Sequence, residues 1–492
     1  MVWFLLSSGL FLGWSLGAND AANIFGTAVA TRMVKFRVAA FITSIFIVLG
    51  AVYSGAGATH TLSVLGEVNA IGGAFTVALS AAIAVTILIR RSLPVSISQS
   101  IVGAIIGWNL FTSSPTDLDS LYKILLSWLL NPLFAGLLSF GLYHLFNFII
   151  PKLRIHLLTL DKLYRVAMIF IFVFGAYSLG ANNISKVVGV FVNSAPFNDI
   201  DLVGIKISKS SQLFFFGGLS MVLGVFTYSH KTISTIGSKI YKLSPLSALV
   251  TLFSSSLVLF LFSSERVKEF LLSVGLPSFP LVPVSITQAM FGAVIGIGLA
   301  KGGRYINFNT TFKILLGWII TPFSAILISL VSLFIIQNVF QLKVFNEISF
   351  EFTPEVMTQL NNNGIKTEKL NSILDLKFSN QSELRQKLNS LGFNNEKELF
   401  IIYDISKIEK FKFDSVYIVQ RLNPAIFSDK QISAVKKLHM REFKHRWEVK
   451  NQLSSIEPEW QFKPQTPENF YYNTKLSQKY DILFSLTKEL QL

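Results

Sequence analysis

Apolar residues are concentrated between the start of the chain and about residue 340, in runs long enough to cross a lipid bilayer. Two examples are Ile124–Ile150 and Ile314–Ile336. A hydrocarbon core of about 30 Å requires about 20 such residues in a helix. Only 14% of the residues are charged, whereas about a quarter is typical of a soluble protein, and the mean hydropathy is +0.53. The sequence therefore predicts an all-α polytopic membrane protein.

The first apolar run is interpreted as the first membrane helix rather than a signal peptide. A signal peptide needs a positively charged segment at its start, which MVWFLLSSGLFLGWSLGA lacks. The distal end of this run also recurs inside the chain, where a signal peptide cannot lie.

The net charge of +15 comes mostly from basic clusters at the ends of apolar runs. Such clusters typically mark the cytoplasmic side of a membrane protein, so we expect lipid rather than nucleic acid as the neighbour of this chain. The clusters are Arg32–Arg37, Arg90–Arg91, Lys152–Arg165, Lys231–Lys242 and Lys301–Arg304. The chain has no Cys, and we find no nucleophile–base pair, nucleotide loop or metal-ligand cluster. The sequence thus predicts neither an enzyme nor a bound cofactor.

Four blocks of sequence occur twice, in the same order. SLGANDAAN (15–23) resembles SLGANNISK (178–186), and LPVSISQSIVGAIIG (93–107) resembles VPVSITQAMFGAVIG (282–296). KILLSWLLNP (123–132) resembles KILLGWIITP (313–322), and HTLSVLG (60–66) is a weaker match to KTISTIG (231–237). Chance similarity between apolar helices does not produce four ordered pairs, so we predict two homologous halves.

The basic clusters imply an odd number of crossings in each half, so the halves are inverted with respect to each other. We predict a first repeat at 1–150, a basic cytoplasmic linker at 151–165, an inverted second repeat at 166–341 and a soluble C-terminal domain at 342–492. We expect about 10–12 membrane segments, some in broken or re-entrant hairpins. The predicted location is the cytoplasmic (inner) membrane, with both termini outside.

The C-terminal segment changes composition to Asn, Lys, Glu and aromatic residues and carries no chemical motif. Helices are expected at Ser382–Ser390 and Asp429–Val449, and a strand at Leu399–Tyr403. A small accessory domain is the simplest interpretation of this segment.

Asp20 is the one carboxylate within an apolar run of the first 340 residues. A charge there costs about 2.5–3.5 kcal/mol unless a partner or a cavity compensates for it. Gly17 and Gly180 precede the two polar clusters, and we expect each cluster to interrupt its helix and free carbonyl groups. Together with side-chain oxygens these would form a site for a small cation such as Na⁺; the alternative is an interhelical packing cluster. The candidate cation-binding residues are Asp20, Asn19, Asn23, Asn182 and Asn183.

Pro94 and Pro283 each precede a hydroxyl-rich segment that should open a short helix. An unpaired helix N-terminus with added hydroxyl donors binds tetrahedral oxyanions well. Glycines at four-residue spacing follow, which permits close helix packing, and simple capping with such packing is the alternative. The candidate anion-binding residues are Ser96, Ser98, Gln99, Ser100, Ser285, Thr287 and Gln288, with Asp20 as an acceptor.

The paired GAND-like and PVS-x-[ST] motifs resemble those of the inorganic phosphate transporter (Pit) family of secondary transporters, over about residues 1–340. The resemblance implies two inverted repeats around a central site, and uptake of phosphate, in some members as a metal–phosphate complex, with Na⁺ or H⁺. It also implies that the candidate Asp and Asn residues line the ion and substrate site. Ser96, Ser98, Ser285 and Thr287 would contact phosphate.

The sequence departs from the family pattern in four places. Asn183 stands where Asp is usual, Gln99 and Gln288 where His is usual, and Ile47 where Glu is common. A second Glu is missing from SPLSALVTLF. We therefore expect fewer coupled cations than is usual for the family, or a different coupling ion.

The leading hypothesis is a cation-coupled phosphate symporter. A sulfate permease on the same fold is the first alternative, because sulfate has the same shape and the site has lost titratable groups. A non-transporting anion sensor that signals through the tail is a weaker one. The sequence leaves open the stoichiometry and whether the chain forms a homo-oligomer.

Overall fold

The computed structural model describes residues 2–30, 34–66, 68–90, 95–114, 116–195, 197, 200–202, 205–230, 244–303, 308–346, 348–379, 381–409, 411–422, 426–464 and 469–489. These residues form two compact units, Met1–Asn346 and Glu347–Leu492. Several residues named in the sequence analysis lie outside the described ranges, namely Pro94, the KTISTIG block and parts of the basic clusters, including Arg32, Arg91 and Arg304.

The first unit is almost entirely helical. Its helices are α1 (Val2–Ala30), α2 (Phe36–Ser54), α3 (Ala56–Gly66), α4 (Ile71–Arg90), α5 (Ile97–Thr112), α6 (Leu118–Lys152), α7 (Leu157–Val188), α8 (Lys209–Thr227), α9 (Pro245–Leu261), α10 (Glu265–Ser273), α11 (Ile286–Ala300) and α12 (Phe308–Asn338). A 3₁₀ turn at Gly189–Phe191 follows α7, and an antiparallel pair, β1 (Ile200–Leu202) and β2 (Ile205–Ile207), precedes α8.

Polar side chains cap several of these helices. Asp117 accepts from the N–H of Ser120 at 2.9 Å at the start of α6. Ser244 stands before Pro245 and accepts from the N–H of Ser247 at 3.3 Å at the start of α9. Caps of this kind satisfy backbone donors that a helix leaves unpaired at its N-terminus.

The most extensive helix contacts join the first half of the unit to the second. Helix α1 packs along α8, α2 along α7, α5 along α12, and α6 along α11. Two equivalent hydrogen bonds cross between the halves, from Ser139 Oγ to Ala293 O and from Ser329 Oγ to Ala104 O, both at 2.8 Å. Each half therefore supplies the packing partners of the other.

Glycines allow these helices to approach closely. A Cβ on Gly17 would lie 1.8 Å from the carbonyl oxygen of Met221, and one on Gly180 would lie 2.0 Å from that of Ile47. Helices α1 and α7 continue through the GAN motifs, so the prediction that these motifs interrupt their helices is wrong. The glycines are needed because a neighbouring backbone occupies the space of a side chain.

Six helices among the described residues are long and apolar enough to cross a membrane, or seven if α9 and α10, bent by 77°, count as one. This is fewer than the 10–12 segments expected from the sequence. Helices α5 and α11 are apolar but have only 16 and 15 residues, about 24 and 22 Å at 1.5 Å per residue, which is less than a bilayer core.

The second unit contains short helices and two-stranded antiparallel sheets. Its elements are β3 (Phe350–Glu351), α13 (Pro354–Asn362), a 3₁₀ helix (Thr367–Ile373), β4 (Lys377–Phe378), α14 (Gln381–Ser390), α15 (Glu396–Ser406), β5 (Phe411–Phe413), α16 (Ser415–Arg421), α17 (Asp429–Lys436), β6 (Arg441–Phe443), α18 (Arg446–Ile456), a 3₁₀ turn (Pro458–Trp460) and α19 (Phe470–Glu489). Strand β3 pairs with β4 and β5 with β6.

Two sequence predictions for this unit are wrong. Residues Leu399–Tyr403 are helical, within α15, and the helical spacing explains why: Leu399 and Ile402 are buried whereas Phe400 is 71% exposed. The segment Asp429–Val449 is two helices separated by β6, and Met440 between them has a left-handed φ of 57°. The helix expected at Ser382–Ser390 is present as α14.

Candidate substrate and ion site

The two copies of the polar nonapeptide meet in the interior of the first unit. Helix α1 carries Asp20 and helix α7 carries Asn183, and the Asn183 amide donates to Asp20 Oδ2 at 2.9 Å. The Asn19 amide donates to Asp20 Oδ1 at 3.1 Å. Asp20 is only 4% exposed and Asn183 is fully buried. The structure thus joins the two sequence motifs through one carboxylate.

Lys186, on the turn of α7 that follows, is the second charge of this site. Its Nζ donates to Asn183 Oδ1 at 2.5 Å and to the carbonyl oxygen of Val284 at 2.7 Å. In the described part of Met1–Asn346, Asp20 and Lys186 are the buried charged side chains. The Asn183 amide lies between them, with its NH₂ group toward the acid and its oxygen toward the ammonium. One amide therefore links both charges, since each of its ends matches the neighbouring group.

The starts of α5 and α11 reach the same place. Ser98 Oγ, in the first turn of α5, donates to Val284 O at 3.1 Å, so this carbonyl accepts from both Ser98 and Lys186. The next residue, Ser285, caps α11 by accepting from the Gln288 N–H at 3.4 Å. Asn131 of α6 donates to Ser285 O at 2.8 Å. The GAN motifs and the PVS motifs thus form one continuous polar cluster.

Several buried polar atoms of this cluster have no hydrogen-bond partner within the described ranges. They are Ser96 Oγ, Gln99 Oε1, Asn131 Oδ1, and both amide atoms of Gln288. A buried polar atom without a partner costs about 1–3 kcal/mol, so native proteins rarely retain several together without a ligand or water. Ser96, Gln99 and Gln288 lie at the openings of α5 and α11, where Ser96 Oγ and Gln288 Nε2 can donate to an anion. The three amide oxygens are acceptors, which suit a cation, a water molecule or a protonated anion.

The other predicted residues differ in how they are used. Ser100 Oγ donates to the carbonyl of Ala81 on α4 at 2.9 Å, so this hydroxyl is engaged in helix packing. Asn182 is fully buried, Asn23 is buried, and Thr287 is half-buried. In the orientation that satisfies both of its amide atoms, Asn182 donates to Val284 O at 2.7 Å and accepts from Val284 N at 3.3 Å.

Sequence reasoning missed two residues of the cluster, Lys186 and Asn131. The signal for Lys186 was present in the duplicated nonapeptide, where it occupies the position of Asn23 in the first copy. Asn131 directly precedes the proline of KILLSWLLNP, and Thr321 holds the equivalent position in KILLGWIITP. Both residues differ between the paired blocks, so the features that the blocks share do not reveal them.

Chemically, the cluster contains one acid, one ammonium, several amides and hydroxyls, and two helix N-termini. It can bind an anion through donors and a small cation through carboxylate and amide oxygens. In the described residues no three His, Asp or Glu side chains are grouped as metal ligands.

A family model and several known proteins match this chain. The model of the phosphate transporter family matches residues 16–329 and 271–403. A protein of Methanocaldococcus jannaschii that is named as a phosphate permease is 27% identical over 323 residues, which are 65% of this chain and 93% of that protein. A protein of Bacillus subtilis named as a low-affinity inorganic phosphate transporter is 26% identical over 331 residues, 66% of this chain and 93% of that protein.

A solved structure described as the sodium-dependent phosphate transporter has a similar fold. Its TM-score is 0.54 at 22% identity, and the match covers 68% of this chain and 98% of that one. The likeness to this structure concerns the fold alone. The family match spans more than half of the chain. It includes the first nonapeptide from its second residue onward, the whole second nonapeptide and both hydroxyl-rich segments. The chain therefore belongs to the phosphate transporter family.

Proposed function

We propose that this chain is a secondary transporter that carries inorganic phosphate across the cytoplasmic membrane by symport with Na⁺ or H⁺. An interior-negative potential opposes the entry of an anion by about 2.3 kcal/mol per charge per 100 mV, so concentrative uptake requires a coupled cation. In this proposal Asp20, with Asn19 and Asn23, binds the cation. The openings of α5 and α11, with Ser96, Ser98, Gln99, Ser285, Thr287 and Gln288, bind phosphate.

One observation carries the proposal. The carbonyl of Val284 is bonded to Ser98 at 3.1 Å and to Lys186 at 2.7 Å, and Lys186 connects through Asn183 to Asp20. A cation at Asp20 and an anion at the two helix openings would therefore lie within a single hydrogen-bonded cluster. Such proximity lets binding of one ion favour binding of the other, which is the basis of coupling.

We further propose that the two halves are inverted repeats that move against each other in alternating access. The reciprocal contacts support this, since Ser139–Ala293 and Ser329–Ala104 are equivalent bonds of equal length. Helices α5 and α11 are too short to cross a bilayer core, as expected of re-entrant hairpins. In repeat-built transporters the substrate site lies at the repeat interface, where this cluster is found.

The test is uptake of radiolabelled phosphate by the full chain in proteoliposomes, with an imposed Na⁺ or pH gradient and with excess unlabelled sulfate. We expect gradient-driven accumulation that sulfate does not suppress, and its loss in Asp20→Asn. Accumulation by Asp20→Asn with unchanged ion dependence would contradict the role of the carboxylate. Uptake that sulfate abolishes would instead identify a sulfate permease.

A further inference from the structure

The two copies of the nonapeptide carry opposite charges. The first copy has Asp20 and the neutral Asn23, whereas the second has the neutral Asn183 and the cationic Lys186 at the equivalent positions. Lys186 is 1% exposed and lies in a helix of the membrane-embedded unit. A charge at such a position is costly and is retained when it has a partner or a function. The difference between the repeats therefore calls for a functional explanation.

The Lys186 ammonium donates hydrogen bonds to the oxygens that a free cation would need on the second-repeat side. Asn183 Oδ1 lies 2.5 Å and Val284 O lies 2.7 Å from Nζ. The amide oxygen of Asn182, in its satisfied orientation, accepts from Val284 N at 3.3 Å. A sodium ion in addition to the ammonium would not fit at these oxygens, because the ammonium already provides the positive charge and the hydrogen-bond donors there.

The first-repeat side retains its capacity for a cation. A carboxylate offers about four lone-pair sites, and Asp20 uses one on each oxygen, toward Asn19 and Asn183. A small cation can therefore still bind Asp20 from the side of α1, where Asn19 and Asn23 lie.

We propose that the ammonium of Lys186 is a tethered cation, which takes the place of one free coupling cation on the second-repeat side of the site. It is a fixed charge that stays with the protein when the anion leaves. Each transport cycle of this protein then moves one free cation fewer than a cycle of a carrier that has Asp and Asn at the positions of Asn183 and Lys186. The proposal rests on the proposed function for the identity of the anion, but not for the presence of the tethered charge.

The position of the ammonium agrees with this role. Val284, which accepts from Nζ, also accepts from Ser98 and directly precedes Ser285, the cap of α11. The fixed positive charge therefore adjoins the helix openings that are proposed to bind phosphate. It can balance part of the anion's charge, as a bound cation at this position would.

The experiment measures Na⁺ binding to the detergent-purified full chain without phosphate. Apparent Tm is followed while NaCl replaces N-methylglucamine chloride at constant ionic strength. Lys186→Asn gives the second repeat the residue that the first has at Asn23. We expect it to bind Na⁺ at least about tenfold more tightly than the wild type, because the competing charge is removed. Lys186→Arg keeps the charge and should show no gain, and neither should Lys152→Asn, which removes an exposed charge at the end of α6.

Identical Na⁺ titrations for Lys186→Asn and the wild type would overturn the proposal. If Lys186→Asn is recovered folded only in Na⁺, a free cation has replaced the ammonium and the proposal is supported. If it folds in neither salt, no free cation can take over the role, and the proposal is overturned. Phosphate uptake by wild-type proteoliposomes is measured separately. Absence of uptake would refute the proposed function and leave the Na⁺ result to decide on Lys186 alone.

Discussion

Gly17→Ala should destabilise the protein although it improves helix propensity. Because α1 is continuous at this position, alanine would favour the helix by about 1 kcal/mol relative to glycine. The new Cβ, however, would lie 1.8 Å from the carbonyl oxygen of Met221. Relief of that overlap requires α1 and α8 to separate by roughly 1.5 Å, and overpacking of this kind costs about 1–3 kcal/mol or more. A backbone carbonyl cannot rotate away, so we expect the upper part of this range and a net loss of about 1–2 kcal/mol.

Gly141→Ala is the matched control. It makes the same chemical change inside helix α6, but a Cβ at Gly141 meets nothing within 4 Å. Thermal unfolding of the purified full chain, followed by loss of the monodisperse peak in size-exclusion chromatography, should show a lower apparent Tm for Gly17→Ala. The expected decrease is about 1–3 °C, with no decrease for Gly141→Ala. If Gly17→Ala, like Gly141→Ala, is at least as stable as the wild type, Gly17 is not at a close helix contact.

The remaining predictions concern the hydrogen bonds between the two halves of the first unit and, separately, two residues of the second unit. Ser139→Ala and Ser329→Ala each remove one equivalent cross-half hydrogen bond and should lower stability by a similar amount, about 0.6 kcal/mol; unequal losses in thermal unfolding would argue against equivalence. Burial raises the pKa of Glu351, but the Lys444 hydrogen bond at 3.2 Å and the charges of Lys444, His445 and Lys377 outweigh it and leave the pKa below 4.5. The stabilising contribution of the Glu351 carboxylate is thus complete above its pKa in the unfolded chain, and it is lost as the pH falls through its pKa in the folded protein. Hydrogen exchange of the β3 peptide, corrected for the intrinsic exchange rate, should show a loss of protection in acid, and Glu351→Gln should not show this loss. Met440→Gly should raise stability, since glycine accepts the φ of 57° without strain, by up to about 1 kcal/mol, which thermal unfolding would detect.

The features that could be predicted from sequence are those that both repeats share. Apolar runs predicted the membrane helices. The doubled motifs predicted that Asp20 and Asn183 lie together, and the Asn183 amide nitrogen is 2.9 Å from Asp20 Oδ2. The role of Gly17 could not be predicted, because glycine suits both a helix break and a close helix contact, and only the position of Met221 distinguishes them. Lys186 was overlooked because it breaks the repeat. Its partner Val284 is distant in sequence, so no local pattern indicated that the charge would be buried.

The interlocked halves have a consequence for biosynthesis. Helices α1 and α2 find their most extensive contacts on α8 and α7, which are synthesised more than a hundred residues later. Until those helices are synthesised, Asp20 lacks its amide partner on α7, and the glycines of α1 and α2 lack the backbone that they contact. The contact between Asp20 and Asn183 can therefore form only after α7 has been synthesised, and the packing of α1 along α8 only later still.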